Sequence, residues 1–98
     1  YHVASHDNIT VVTTLSNNFF RGNGTEKDIE KAILFSKKAI ELGNEISLVN
    51  LAVIYEHIED FENAVIFITR AINDGLPNIE KVYSRIVTKF QNEKLEEL

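Results

Sequence analysis

Two histidines near the start of the chain have a spacing that suits metal binding. His2 and His6 lie four residues apart, and on a helix this spacing places two imidazoles on one face, as a zinc site requires. The sequence offers no identifiable third and fourth ligand, and the pair lies at an unanchored terminus. We therefore expect no metal site, and we expect His57 to act in surface packing or capping rather than in catalysis.

Carboxylates are the most numerous reactive groups of the chain. Acid–base catalysis needs a pair of them whose surroundings push the two pKa values apart, and no feature of this sequence buries one member of a pair. Two clusters stand out, Glu59, Asp60 and Glu62, and then Glu93, Glu96 and Glu97. We interpret both clusters as solvated faces.

Nucleophilic and phosphate-transfer chemistry also lack the residues that they need. The chain has no cysteine, and its serines and histidines have no recognisable triad partners. Gly22-Asn23-Gly24 lacks the downstream Gly-Lys-Ser/Thr of a phosphate-binding loop and suits a turn better. We expect a protein that is not an enzyme and that needs no cofactor or metal.

Composition limits the choice of partner. The 98 residues carry 15 acidic and 10 basic side chains, for a formal charge of −5, which disfavours nucleic acid because phosphate backbones bind basic surfaces. No segment has the length and apolarity of a membrane span, so we expect no membrane insertion. The chain begins at Tyr1 and contains no methionine, which indicates a piece of a longer protein. The lack of cysteine favours the cytoplasm without excluding an exported protein.

A tandem repeat organises the chain. The same pattern of two alanines and a glycine occurs twice at a shift of 32 residues: Ala32, Ala39 and Gly43, then Ala64, Ala71 and Gly75. Repeats of this length are typical of helical solenoids. We therefore expect a single repeat domain over residues 1–98, with helix pairs at 8–43 and 44–75 and a C-terminal helix at 76–98 that caps the stack.

Apolar periodicity predicts five helices. They cover residues 8–20, 28–42, 45–58 and 61–74 and the stripe Ile79, Val82, Tyr83, Ile86 and Phe90. The glycines at 43 and 75 suit helix ends. Thr25-Glu26-Lys27-Asp28 resembles a capping box, Asn44 and Asp60 suit N-caps, and Pro77 suits the first turn of the last helix.

The first unit contains an ordered series of small, aromatic and charged residues: Leu15, Ser16, Phe19, Gly22, Gly24, Asp28, Lys31, Ala32, Lys38, Ala39 and Gly43. This series resembles a Sel-one-like repeat, with Ser16, Phe19, Ser36 and Ile40 in place of that repeat's Gly, Tyr, second aromatic and second Ala. The second unit has the series Leu48, Leu51, Ala52, Tyr55, Ala64, Ile68 and Ala71. It lacks the G-x-G insertion and is more similar to a tetratricopeptide repeat.

The resemblance implies an all-α fold, a short right-handed α-solenoid of about five helices in antiparallel pairs. It also implies a concave face, lined by the first helix of each pair, that holds a peptide or a partner protein. By the family pattern the positions on that face are Thr13, Asn17, Phe20, Val49, Val53, Glu56, Ser84 and Val87.

Two functions follow from these positions. The apolar members of the face suggest a hydrophobic anchor for a partner helix or peptide, although ordinary helix packing explains them equally well. The first interpretation predicts a non-enzymatic interaction module, a scaffold or adaptor. The alternative is a structural segment of a longer array, or a module that self-associates through its N-terminal end, where Ile9 and Val11 have no visible cap.

Overall fold

The computed structural model describes the backbone of residues 2–22 and 28–98, and the side chains of residues 8–22 and 28–98. Within these ranges the chain is all-α, with five helices and no strand, as predicted. The helices are α1 (His2–Arg21), α2 (Ile29–Glu41), α3 (Ile46–His57), α4 (Phe61–Asn73) and α5 (Glu80–Glu96). The chain divides into two compact units, Tyr1–Ser47 (unit 1) and Leu48–Leu98 (unit 2).

In unit 1, α1 packs on α2 through small and hydroxyl-bearing side chains. The buried Ser16 hydroxyl donates to the carbonyl of Ala32 over 2.8 Å. Because its proton is used there, the Ser36 hydroxyl is the donor of the 2.5 Å bond to Ser16 Oγ. Ala32 and Ala39 are fully buried, and such small residues allow close approach of the two helices.

In unit 2, the packing is apolar. The largest fully buried side chains of this unit are Leu48, Leu51, Ile68 and Ile86. Helix α4 packs on α5. Burial of large aliphatic side chains is the main favourable term in the stability of such a core.

The start of the second helix has the same hydrogen-bonding pattern in both units. Asp28 and Asp60 are the N-caps of α2 and α4, and each carboxylate accepts the backbone N–H three residues later, at 3.1 and 3.2 Å. The backbone N–H of Asp28 donates to the carbonyl of Phe19, and that of Asp60 donates to the carbonyl of Tyr55, both over 2.9 Å. The repeated sequence therefore forms a repeated hydrogen-bonding pattern.

Each unit also contains one stacked aromatic pair. Phe19 stacks on Phe35 with 5.8 Å between ring centroids and 10° between planes. Tyr55 stacks on Phe67 with 5.8 Å and 8°. Tyr55 is thus the equivalent of Phe19, and Phe67 is the equivalent of Phe35 at a shift of 32 residues. The shift from Phe19 to Tyr55 is larger, because the connection to the second helix is longer in unit 1.

The predicted helix ends at Gly43 and Gly75 are confirmed. Their φ angles are +99° and +83°, in the region that costs L-residues with a Cβ about 1 kcal/mol or more. In both turns the glycine N–H donates over 3.0 Å to a carbonyl of the preceding helix, that of Ile40 or Ile72.

Two predicted helix starts are wrong. Asp28 was expected inside a capping box that opens at Thr25, yet Asp28 has an extended backbone, with φ −145°, and is itself the N-cap; residues 25–27 lie outside the described residues. Pro77 was expected in the first turn of the last helix, yet α5 begins at Glu80. The cause is Asn78, whose φ of +62° is incompatible with a right-handed helix.

Helix α1 also differs from its prediction. Its helical backbone begins at His2 rather than at residue 8. The β-branched residues 9–14 have low helix propensity, yet they are helical here, so local propensity alone underestimates this helix. The side chains of His2 and His6 lie outside the described residues, and so does the Asn23-Gly24 part of the predicted turn.

Candidate functional site

Glu56 is the centre of the most organised polar cluster in unit 2. Its helix, α3, is apolar on nearly all sides, and the Glu56 side chain is only 8% exposed. Its carboxylate accepts two hydrogen bonds from Arg85, from Nε to Oε2 over 2.7 Å and from Nη2 to Oε1 over 2.8 Å. Lys89 Nζ donates a third, over 2.9 Å to Oε2. Glu56 therefore joins α3 to α5 through a bidentate pair and a second cation.

These contacts determine the charge state of the cluster. The hydrogen bond from Arg85 lowers the pKa of Glu56; burial opposes this effect, and Lys89 adds to it. The same bond with Glu56 raises the pKa of Arg85. Because a buried carboxylate without partners would instead tend to be neutral, the two cations keep Glu56 ionised at neutral pH.

The other predicted positions of unit 2 lie on the same two helices. Val49 and Val53 precede Glu56 by seven and three residues, which places all three on one face of α3. Both valines are half-buried. On α5, Ser84 is exposed and Val87 is half-buried.

We define the α3–α5 face as Glu56, the two valines on its side of α3 and the two cations that bind it: Val49, Val53, Glu56, Arg85 and Lys89. Ser84 and Val87 lie one and two residues from Arg85 along α5, and side chains at those spacings do not share a face of a helix, so both predicted positions are outside this face. The face combines partly exposed apolar side chains with charged groups that are held in fixed positions.

Arg85 and Lys89 were missed as site residues. In the sequence they belong to the polar side of the last helix, and both are indeed exposed, so nothing local distinguishes them from other surface cations. The available signal was Glu56 itself, a carboxylate in an otherwise apolar helix. A buried charge needs a partner, but the sequence does not say which cation is close enough.

The predicted positions of unit 1 are Thr13, Asn17 and Phe20 on α1. All three are half-buried. Thr13 Oγ1 accepts a hydrogen bond from the side-chain amide of Asn44 over 2.9 Å. Asn44, the predicted N-cap of α3, also accepts the backbone N–H of Ser47 at its own main-chain carbonyl, over 3.2 Å. Thr13 and Asn44 thus connect α1 to the turn that follows α2.

A shallow surface depression lies at the end of α5. It is lined by Phe90, Gln91, Lys94, Leu95, Glu97 and Leu98. Lys94 Nζ lies 5.4 Å from the centroid of the Phe90 ring and 3.6 Å from Glu97 Oε2. None of the predicted site residues lines this depression.

The carboxylate cluster in the turn before α4 has structural functions. Asp60 caps α4 and also accepts the side-chain amide of Asn63 over 2.8 Å, and Glu59 is an exposed turn residue with a φ of +62°. Among the residues that the structure describes, no group of three or more His, Cys, Asp or Glu side chains is arranged to hold a metal ion. In the same part of the chain, no helix is long and apolar enough to cross a membrane.

Comparison with protein-family models, with curated proteins and with solved structures found no match for this chain.

Proposed function

We propose that this protein is a non-enzymatic interaction module, a scaffold or adaptor that binds a peptide or a helix of a partner protein on the α3–α5 face. The fold that presents this face is a short right-handed α-solenoid of the Sel-one-like and tetratricopeptide-like kind. In such folds stacked helix pairs leave one surface open to partners.

The order of contacts in unit 1 supports the solenoid. Phe19, near the end of α1, bonds to Asp28, at the start of α2. Ser16, one turn earlier on α1, contacts Ala32 and Ser36, further along α2. Contacts that run in opposite directions along two helices are those of an antiparallel pair, which is the building block of these repeats.

One observation carries the proposed function: the residues that recur between the units are buried packing or turn residues, whereas the α3–α5 face is built from residues outside that set. Val53 is an apolar side chain that remains partly exposed on the face that holds the ordered Glu56 cluster. Apolar anchors next to ordered polar groups are typical of protein interfaces.

The test compares two substitutions to glutamate in the full chain. Val53→Glu places a charge on the α3–α5 face, whereas Ile66→Glu places one on an exposed apolar position of α4, outside that face. Each immobilised protein is used to capture partners from a lysate, and the captured proteins are quantified by mass spectrometry. We expect the wild type and Ile66→Glu to capture the same partner and Val53→Glu to lose it while retaining its helical circular dichroism. If Val53→Glu captures the partner as well as the wild type does, the α3–α5 face is not the binding surface.

Self-association is the second candidate, and one observation favours it. Val11 on α1 is a largely exposed apolar residue, and the neighbouring Ile9 is half-buried. Sedimentation equilibrium of the wild type and of Val11→Glu tests this function. A concentration-dependent mass that the substitution abolishes would support it, and a strict monomer at high concentration would reject it.

A further inference from the structure

On the basis of the proposed function, we infer that Arg85 and Lys89 bind an acidic side chain of the partner, and that Glu56 acts as the positioning residue that holds both cations. The partner is then a peptide segment in which a carboxylate lies next to apolar side chains. Neither cation was among the predicted site residues.

Donor capacity is the first argument. A guanidinium group carries five N–H donors and an ammonium group carries three. Glu56 accepts two donors of Arg85 and one of Lys89. Both side chains remain about half exposed, at 48% and 46%, so a second acceptor can approach them from solvent.

Charge is the second argument. The two cations exceed the single carboxylate of Glu56 by one positive charge, within a chain whose formal charge is −5. Two other ion pairs in the described part of the chain, Lys38 with Glu41 and Lys94 with Glu97, are neutral and join residues only three apart. The excess charge at Arg85 and Lys89 therefore complements an anionic group.

Preorganisation is the third argument. Long cationic side chains lose rotamer freedom when they bind, and this loss weakens exposed ion pairs. Here the buried Glu56 already orders both cations, and the bidentate contact fixes the plane of the guanidinium. A partner carboxylate therefore binds two cations that have already lost their rotamer freedom in the folded protein.

The experiment titrates the full chain with two blocked hexapeptides, GLEELG and its glutamine counterpart GLQQLG, and follows binding by NMR. The probes are the Arg85 Nε–H resonance and the Val53 methyl resonances. Lys89→Gln removes one cation and leaves the Arg85–Glu56 contact in place. Lys94→Gln is the matched control, because Lys94 lies on the same helix, has similar exposure and is also paired with a glutamate.

We expect GLEELG to shift the Arg85 resonance saturably, and GLQQLG to bind more weakly. Lys89→Gln should weaken GLEELG binding about three- to fivefold, as expected for a partly exposed ion pair, with Lys94→Gln unchanged. Equal weakening by the two variants, equal binding of the two peptides, or no saturable shift of the Arg85 resonance up to about 10 mM peptide would each overturn the inference.

These outcomes are distinct from failure of the proposed function. If both peptides shift the Val53 methyls equally, the apolar part of the face binds without any contribution from charge. The inference then fails and the proposed function stands. The proposed function is tested separately, by partner capture with Val53→Glu and Ile66→Glu.

Discussion

The Glu56–Arg85 contact should respond very differently to removal of its two partners. Glu56→Gln leaves Arg85 and Lys89 without their carboxylate, but both cations are about half exposed and regain water. Arg85→Met leaves a carboxylate that is only 8% exposed, with Lys89 as its remaining cation. Arg85→Met therefore leaves a buried charge that is poorly compensated, whereas Glu56→Gln leaves no buried charge.

The magnitudes follow from this asymmetry. Hydrogen bonds to charged groups contribute about 1.5–3 kcal/mol each when buried, but screening at half-exposed cations reduces this, so Glu56→Gln should cost about 1 kcal/mol. Removing the cation of a buried ion pair, so that the carboxylate stays buried without it, lowers the free energy of unfolding by about 3–5 kcal/mol. Because Lys89 still compensates part of the charge, we expect Arg85→Met to lower the free energy of unfolding by about 2–3 kcal/mol.

Urea unfolding followed by circular dichroism measures both changes as free energies of unfolding. With a slope of about 1 kcal/mol per molar urea for a chain of this size, the midpoint should fall by about 1 M for Glu56→Gln and about 2 M or more for Arg85→Met. The double variant should be more stable than Arg85→Met alone, since it no longer buries a charge. A double variant less stable than Arg85→Met would refute the reasoning.

Three further predictions concern stability. The pKa of Glu56 is lowered in the folded protein, so the ionised carboxylate contributes to stability above the ordinary pKa of 4.5, and this contribution is lost as pH falls through the lower folded pKa. In acid unfolding curves, the stabilities of the wild type and Glu56→Gln should therefore converge. Ser16→Ala should lower the free energy of unfolding in urea by about 1–2 kcal/mol, which is more than the effect of Ser36→Ala, because Ser16 takes part in both of these hydrogen bonds and Ser36 in only one. Gly43→Ala and Gly75→Ala should each lower thermal stability by a similar amount, about 1 kcal/mol, because both have positive φ and an added Cβ meets no neighbour.

Prediction from sequence was most accurate where apolar periodicity and caps agree. The helices predicted at 28–42 and 61–74 are found at Ile29–Glu41 and Phe61–Asn73, since in each case an amphipathic stripe and a glycine after it indicate the same bounds, and for the later helix the predicted N-cap Asp60 indicates them too. The start of α5 was wrong because Pro77 suits both a helix start and a turn. The left-handed backbone of Asn78, between the buried Leu76 and Ile79, selects the turn.

The candidate site was only partly predictable, for a different reason. Glu56 can be recognised in the sequence as a charged residue in a mostly apolar helix, and Val49 and Val53 were predicted from the resemblance to the repeat families. Arg85 and Lys89 lie about 30 residues further along the chain, and contacts over such separations depend on tertiary packing rather than on local pattern.

The most direct test of the central claim, that a partner binds the α3–α5 face, is NMR mapping with the captured partner segment. The wild-type chain is titrated with that segment, and every side-chain and backbone resonance is followed. We predict that the largest shifts occur at Val53, Arg85 and Lys89, while Leu34 and Ile66, both exposed apolar residues outside this face, stay unchanged. Shifts concentrated at Leu34 or Ile66, with the α3–α5 face unaffected, would contradict the account.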